Sequence, residues 1–259
     1  MSQKPTSYIN TAIGKIAIYQ KDHDSRKTPI IFLHGVYFDH HLWDKIIESI
    51  NDRTVITLDM PLHGLSKDII KYDWTLKDCA EMLLEVLAQL KFEKVLAIGH
   101  SWGSMTILRA ASMKPDRFSA IGFCNMPFEA ASKRQKLLFA LQHSMLAFRA
   151  FYTRQTGKAL FGRSSLKSMP SLLYQLKRPM DLLTNTEIKR TDKAVILNAE
   201  NSSDLIKNLK VKAYALKGVE DYVSTPTGLI TKVVGGGHVS PLEKPEEIFN
   251  LIIRLQLLM

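Results

Sequence analysis

Ser101 stands between Gly99 and Gly103 in the stretch IGHSWGS at residues 98–104, a setting that could support nucleophilic chemistry. Small residues on both sides let the chain turn sharply from a strand into a helix, which exposes the serine hydroxyl. The same spacing also occurs in ordinary tight turns, and a free serine is a weak nucleophile. The hypothesis therefore requires a base, and an acid that orients the base.

Candidates for both groups follow later in the chain. Asp221, with Glu220 beside it, comes directly after a predicted strand in KGVEDYVSTP, and His238 follows another strand in GGGHVSPLEKP. Considered alone, Asp221 also fits the interpretation of a carboxylate at the protein surface, and His238 that of an ordinary histidine in a loop. Together they give the order serine, aspartate, histidine, each at the carboxyl end of a strand, which is typical of a nucleophile-elbow hydrolase.

Two backbone N–H groups are candidates for an oxyanion hole. One is that of Trp102, directly after the serine, and the other is that of Val36 in the loop FLHGV. His34 in this loop and His100 beside the serine are expected to shape the structure rather than to react. The histidines show no metal-ligand spacing, so we expect no metal and no cofactor.

Strands and helices alternate around these residues. Strand patterns precede residue 128 and return at 209–218 and 231–236, whereas the residues between them look mostly helical. This alternation predicts an α/β fold with a mostly parallel sheet flanked by helices. We expect residues 1–128 and 209–259 to form its two parts, with a helical cap inserted at 129–208.

The charge of the chain is unevenly distributed. Its 259 residues carry 35 Lys and Arg against 25 Asp and Glu, a formal net charge of +10. Ten of the basic residues lie between Ser132 and Arg178, a span that contains no Asp or Glu. Such a segment predicts an anionic partner, and the absence of a nucleic-acid motif argues against DNA or RNA.

The N-terminal stretch MSQKPTSYINTAIGK has no long apolar core, and no apolar run approaches the ~18 residues that span a bilayer. The sequence therefore predicts a soluble, cytoplasmic protein without a signal peptide or a transmembrane segment.

The chain resembles the α/β-hydrolase superfamily, and five motifs in the order of that family carry the resemblance. They are FLHGVYFDHHLW, LDMPLHGLS, IGHSWGS, LKGVEDYVSTP and GGGHVSPLEKPEEI. The resemblance implies Ser101 as nucleophile, His238 as base and Asp221 as its orienting acid. It also implies a helical cap after the sixth strand and a carboxylic ester hydrolase that needs no cofactor.

One departure from the family pattern leaves the acid open. Only sixteen residues separate Asp221 from His238, where related enzymes usually fit a full helix. Glu220 is therefore the alternative acid. A displaced acid would favour a lyase, a cofactor-free oxygenase or a ligand-binding protein of the same fold, and a lysophospholipase or thioesterase is a further alternative.

The cap suggests the kind of substrate. Residues 133–154 are predicted to form one amphipathic helix, whose apolar face would wall the site. The predicted pocket residues are Tyr37, Phe38, Leu141, Met145, Phe148 and Tyr152. They favour a small-molecule or carrier-bound ester with an apolar acyl group. The basic cap would receive an acyl carrier protein or an anionic lipid surface. The similar pimeloyl-carrier-protein methyl ester esterases use a basic cap to receive an acidic carrier.

Overall fold

An eight-stranded sheet crosses the molecule in this computed structural model, which describes residues 4–259. The strands lie in the order β1-β2-β4-β3-β5-β6-β7-β8. Strand β2 is antiparallel to both of its neighbours, and the remaining neighbours are parallel. The strands are β1 (Ser7–Asn10), β2 (Lys15–Lys21), β3 (Ile30–Leu33), β4 (Val55–Leu58), β5 (Val95–His100), β6 (Phe118–Cys124), β7 (Ala213–Gly218) and β8 (Ile230–Val234).

The expected α/β fold with a mostly parallel sheet is therefore confirmed. The sequence predicted no signal peptide in the N-terminal segment. Residues 1–3 of that segment lie outside the described residues. Strand β1, which the sequence pattern did not predict, is a four-residue antiparallel edge strand.

Eleven α-helices are found in the described residues. The core holds α1 (Asp44–Glu48), α2 (Leu76–Gln89), α3 (Trp102–Met113), α10 (Ser240–Glu243) and α11 (Pro245–Gln256). The others lie between β6 and β7, and we call residues 129–208 the cap. They are α4 (Lys133–Ser144), α5 (Arg149–Leu160), α6 (Arg163–Ser168), α7 (Leu172–Asp181), α8 (Asn185–Asp192) and α9 (Ser203–Lys207). Over residues 4–259, no helix is both long and apolar enough to cross a bilayer.

The central elements follow from the local sequence. Every residue of β3, β4 and β5 is buried, as expected for parallel strands covered on both faces. Helix α2 begins at Thr75, whose Oγ1 accepts from the N–H of Asp78, while the Asp78 carboxylate accepts from the N–H of Thr75. This reciprocal capping satisfies two N–H groups that the helix leaves without partners.

The cap differs from the expectation of one helix over residues 133–154. Helix α4 ends at Ser144, a 3-10 turn covers Met145–Ala147, and α5 begins at Arg149. The backbone of Phe148 (φ −105°, ψ +66°) lies outside the helical region, so the i+3/i+4 register does not pass from α4 to α5. Burial of Leu146 and a hydrogen bond from Asn185 Nδ2 to its carbonyl (3.3 Å) favour this break.

Helix α3 packs directly against the backbone of β3. A Cβ atom at Gly103 would overlap the carbonyl oxygen of Leu33, whereas one at Gly235 would meet only the flexible end of Lys244. The first turn of α3 can therefore lie this close to the sheet only because residue 103 has no side chain.

We expect Gly103→Ala to lower the free energy of unfolding by about 1–3 kcal/mol, because the added methyl group forces α3 away from β3. Urea unfolding at equilibrium measures this change. Gly235→Ala is the matched control and should differ little from the unchanged protein. Equal stability of the two variants would contradict the packing argument.

Candidate active site

Ser101 occupies the turn between β5 and α3 with an unusual backbone conformation. Its φ of +49° and ψ of −111° lie in a region that residues with a side chain seldom adopt. The Ser101 N–H donates to the carbonyl of Cys124 (2.9 Å), and its own carbonyl accepts from the N–H of Met105 (3.0 Å). The strained turn is thus held on one side by β6 and on the other by α3.

The side chains of Ser101, His238 and Asp221 form a hydrogen-bonded chain. His238 Nε2 lies 2.9 Å from Ser101 Oγ, and His238 Nδ1 lies 2.8 Å from Asp221 Oδ1. Because a carboxylate only accepts, Asp221 takes the Nδ1–H bond and leaves the Nε2 lone pair for the serine hydroxyl. The imidazole therefore has the tautomer and orientation required of a base.

Asp221 is held in its charged form by its neighbours. Burial alone would raise its pKa, but hydrogen bonds from His238, from Asn125 Nδ2 (2.8 Å) and from the Val223 N–H (3.1 Å) bring the pKa below its usual value. Asn125 directly follows β6 and has a positive φ of 52°. Its amide also accepts from the Ser240 N–H (3.2 Å), so it joins the loop of the acid to that of the histidine.

The short link between Asp221 and His238 contains no helix. The loops that follow β7 and β8 lie directly on each other, with hydrogen bonds from Val219 N–H to Val234 O and from Glu220 N–H to Gly236 O. A Cβ at Gly218 would overlap the carbonyl oxygen of Gly237, so these two backbones are in direct contact. The close approach brings Asp221 to His238 without a connecting helix.

Glu220, the alternative acid, points to the cap instead. Its carboxylate accepts from the Arg163 N–H (2.8 Å) and the Ser164 hydroxyl (2.6 Å) at the start of α6. These hydrogen bonds lower the pKa of Glu220 below its usual value. Of the two neighbouring carboxylates, the structure therefore places only Asp221 beside His238.

The loop that contains Val36 is held by two neutral histidines. His63 Nε2 accepts from the Tyr37 N–H (3.1 Å), and His34 Nε2 accepts from the Met60 N–H (2.8 Å). Burial lowers the pKa of both rings, that of His63 to about 3, so each keeps the lone pair that it needs as an acceptor. Within residues 4–259, the N–H groups of Val36 and Trp102 donate to no protein atom.

A mostly apolar cavity of about 330 Å³ opens onto Ser101 and His238. Tyr37, Phe38 and Tyr152 line it as the sequence indicates. Val36 lies at the same wall, whereas the Trp102 ring is buried beneath the turn and stacks on Trp74. The other lining residues are His100, Met105, Pro127, Glu129, Ala131, Gln135, Phe139, Gln142, Thr156, Ala159, Leu160, Val195, Ile196, Ala199 and Tyr222.

Three predicted pocket residues do not line this cavity. Leu141 and Phe148 are exposed, and Met145 packs against the hydrophobic core. Leu141 lies on a face of α4 that does not meet the cavity, and the break at Met145–Ala147 removes Met145 and Phe148 from the predicted helical register. Helix α4 instead presents Gln135, Phe139 and Gln142 to the cavity, a second i, i+4, i+7 set on the same helix.

A buried polar network joins Tyr37 to the cap. Its hydroxyl donates to Asp192 Oδ1 (2.7 Å) at the end of α8, while the second oxygen of Asp192 accepts from His143 Nε2 (2.8 Å) on α4. The Tyr152 hydroxyl lies 3.2 Å from that of Tyr37. Burial raises the pKa of Asp192 despite these hydrogen bonds.

Glu243 holds the loop of His238 and is not among the residues predicted from the sequence. Its buried carboxylate accepts from the N–H groups of Gly237 (2.8 Å) and Val239 (3.0 Å), on either side of the histidine, and from that of Gly162 (2.8 Å) in the cap. In the sequence, Glu243 lies in the charged stretch LEKPEE, and the charged residues of such a stretch are usually exposed to solvent.

His100 and Tyr222 also contact His238. His100 Nε2 donates to the carbonyl of His238 (2.8 Å), and burial lowers the pKa of His100 to about 3. The Tyr222 ring stacks on the His238 ring at 4.6 Å between centroids, with its hydroxyl 3.3 Å from Nε2. His100 thus supports the loop, as expected, whereas Tyr222 was not predicted to approach the site.

Comparisons with known proteins identify several relatives of this chain. Among curated proteins, the chain is 26% identical over 112 residues to uncharacterized hydrolase YugF of Bacillus subtilis, which is 43% of this chain and 41% of that protein. It is 27% identical over 128 residues to esterase Rv0045c of Mycobacterium tuberculosis, 47% of this chain and 43% of that one. The matches thus span less than half of the length of these relatives.

Structural similarity extends over nearly the whole chain. A thermophilic esterase from Thermogutta terrifontis superimposes with a TM-score of 0.83 at 20% identity, covering 97% of this chain and 98% of that one. This likeness shows a shared fold. The family model of the alpha/beta hydrolase fold matches residues 28–218, which is most of the sequence. The chain therefore belongs to the α/β-hydrolase fold family.

Proposed function

We propose that this protein is a serine hydrolase that cleaves carboxylic esters with an apolar acyl group. The observation that carries the proposal is the hydrogen-bonded chain Ser101–His238–Asp221 at the floor of the apolar cavity. The esterase descriptions of Rv0045c and of the Thermogutta terrifontis structure support the same reaction class.

The first half-reaction transfers the acyl group to the enzyme. Ser101 Oγ attacks the acyl carbon while His238 Nε2 takes the hydroxyl proton, and Asp221 stabilises the imidazolium that forms. The N–H groups of Val36 and Trp102 stabilise the negative oxygen of the tetrahedral intermediate. The intermediate then expels the leaving alkoxide, which receives the proton from Nε2 and departs as an alcohol.

The second half-reaction hydrolyses the acyl-enzyme. Water loses a proton to His238 Nε2 and attacks the same carbon, and the second tetrahedral intermediate expels the serine oxygen. That oxygen regains its proton from Nε2, and the carboxylic acid leaves. All proton transfers use one imidazole nitrogen, so no cofactor is required.

The cavity supports an apolar acyl group as substrate. Met105, Phe139, Leu160, Val195 and Ile196 are among its lining side chains. Such walls favour aliphatic or aromatic groups through burial of apolar surface. A carrier-bound ester, a lysophospholipid or a thioester would present the same kind of acyl chain, and all three remain candidates within this reaction class.

The same geometry removes the observation that most favoured the non-hydrolytic alternatives. Those alternatives drew their support from the short link between Asp221 and His238, which could have misplaced the acid. With Asp221 Oδ1 at 2.8 Å from His238 Nδ1, the link gives no argument for a lyase, an oxygenase or a binding protein.

A fluorophosphonate should form one covalent adduct, on Ser101, that mass spectrometry locates. Ser101→Ala should abolish this adduct and lower turnover of p-nitrophenyl esters by about 10⁴–10⁶-fold, the loss typical of a nucleophile. Ser112→Ala, on the same helix, is the control and should retain both. Labelling elsewhere, or turnover retained by Ser101→Ala, would overturn the proposed mechanism.

Glu243 is expected to act as a positioning residue. Glu243→Gln replaces one carboxylate oxygen by an NH₂ group, so either the Gly237 N–H or the Val239 N–H, which bond different oxygens, loses its acceptor. We expect kcat for a p-nitrophenyl ester to fall about 10–100-fold, because small displacements of a catalytic group cost this much, while KM changes little.

Glu246→Gln, at an exposed position on the following helix, is the matched control and should leave both constants unchanged. Urea unfolding separates displacement of His238 from loss of the folded protein. A rise in KM at constant kcat would show that Glu243 serves substrate binding and does not position the histidine.

A further inference from the structure

The outer side of α4 carries exposed leucines that no part of the described chain covers. Leu137, Leu138 and Leu141 are 64%, 48% and 57% exposed, and Phe148 beyond the end of the helix is 73% exposed. At 100° per residue, Leu137 and Leu141 lie on the side of α4 away from Gln135, Phe139 and Gln142, which line the cavity, and Leu138 lies at the edge of that side. Helix α4 thus has the cavity on one side and an unpartnered apolar strip on the other.

The charged side chains on α4 and α5 are all of one sign. Lys133, Arg134 and Lys136 are exposed on α4, and Arg154 and Lys158 are exposed on α5. Within residues 4–259, none of these five cations pairs with a carboxylate. Phe151, half-exposed, shares the face of α5 with Arg154 and Lys158 at i+3 and i+7.

We propose that this surface of α4 and α5 docks on an anionic lipid interface, with the leucine strip inserted at the headgroup boundary and the cations among the phosphates. Anionic lipid interfaces bind protein surfaces that combine exposed leucine and phenylalanine with lysine and arginine. An acidic protein would be attracted by the cations alone, and the leucine strip favours lipid over that alternative.

The docking surface and part of the cavity wall belong to the same helix. The functional role that we assign to docking rests on the proposed esterase function. The helix that would touch the lipid also supplies Gln135, Phe139 and Gln142 to the cavity wall. An ester with an apolar acyl chain is concentrated at an interface, so docking through α4 would place the cavity where its substrate is found.

Vesicle binding tests this proposal without requiring catalysis. The protein used is Ser101→Ala, incubated with vesicles of phosphatidylcholine alone or of phosphatidylcholine and phosphatidylglycerol, and cosedimentation measures the bound fraction. We expect binding to the anionic vesicles only, with loss at about 1 M salt, where the Debye length falls to about 3 Å.

Two pairs of substitutions separate the apolar and charged contributions. Leu137→Gln with Leu141→Gln, and separately Lys133→Gln with Lys136→Gln, should each weaken binding to anionic vesicles about 10-fold or more. The matched controls are Ile253→Gln with Leu257→Gln and, for the lysines, Lys94→Gln with Lys114→Gln, all at exposed positions outside the cap, and these should bind normally.

Three outcomes would overturn the proposal. They are no binding to anionic vesicles, equal binding by the control and cap variants, and binding to an acidic acyl carrier protein that the lysine pair abolishes and the leucine pair does not. Failure here leaves the esterase proposal intact, because that proposal is tested with water-soluble esters in the absence of lipid.

A separate observation concerns Tyr222, whose hydroxyl lies in the cavity 3.3 Å from His238 Nε2, the atom that also contacts Ser101 Oγ. The side chain is 62% exposed, yet its ring is stacked on the imidazole. We infer, on the basis of the proposed esterase mechanism, that the Tyr222 hydroxyl donates a hydrogen bond to the leaving-group oxygen as His238 transfers its proton. Tyr222 itself keeps its proton.

Substrates with different leaving groups test this role. Tyr222→Phe keeps the stacked ring and removes the donor, so kcat/KM for an alkyl ester should fall about 10-fold, the value of one hydrogen bond to a charged group. For the p-nitrophenyl ester of the same acid, kcat/KM should change less than about 2-fold, since that leaving group is stable without a donor.

Tyr174→Phe, at an exposed position on α7, is the control and should affect neither ester. Equal losses on the two esters would show that Tyr222 only supports His238, and no loss on either would show that the hydroxyl has no part in the reaction. In both cases retained labelling of Ser101 keeps the esterase mechanism separate from this inference.

Discussion

The left-handed backbone of Ser101 between β5 and α3 is the constraint on which the rest of the site depends. This conformation is unfavourable for a residue with a side chain, so the surrounding structure has to stabilise it. The Cys124 carbonyl, the first turn of α3 and the contact of Gly103 with β3 do so together. The position of the serine hydroxyl is thus set by the sheet, and the histidine and aspartate need only reach the same edge of that sheet.

Several buried side chains around this edge bond to backbone groups of the neighbouring loops. Glu243 accepts three N–H groups, His34 and His63 each accept one as neutral rings, and His100 donates to the carbonyl of His238. A buried carboxylate or imidazole is costly without such partners, and with them it fixes the loops to which it is bonded. The loops of the site are therefore ordered by hydrogen bonds that take no part in any reaction.

The sequence predicts the core of this arrangement because the reactive residues directly follow apolar strands. Ser101, Asp221 and His238 could be placed at one sheet edge from strand patterns alone. Leu141 was wrong as a pocket residue because α4 turns a different face to the cavity, and Met145 and Phe148 were wrong because helix periodicity does not reveal the break after Ser144. Glu243 could not be recognised, since only the folded chain brings its carboxylate to the N–H groups beside the histidine.

The buried link from Tyr37 through Asp192 to His143 couples the loop of Val36 mechanically to two cap helices. Any motion that lifts α8 or the end of α4 from the core has to strip Asp192 of its partners, and each unsatisfied buried group costs about 1–3 kcal/mol. The cap therefore cannot rotate away from the core as one rigid body without breaking these hydrogen bonds. The first turns of α4 are outside this link, so a displacement confined to them breaks none of the hydrogen bonds of Asp192.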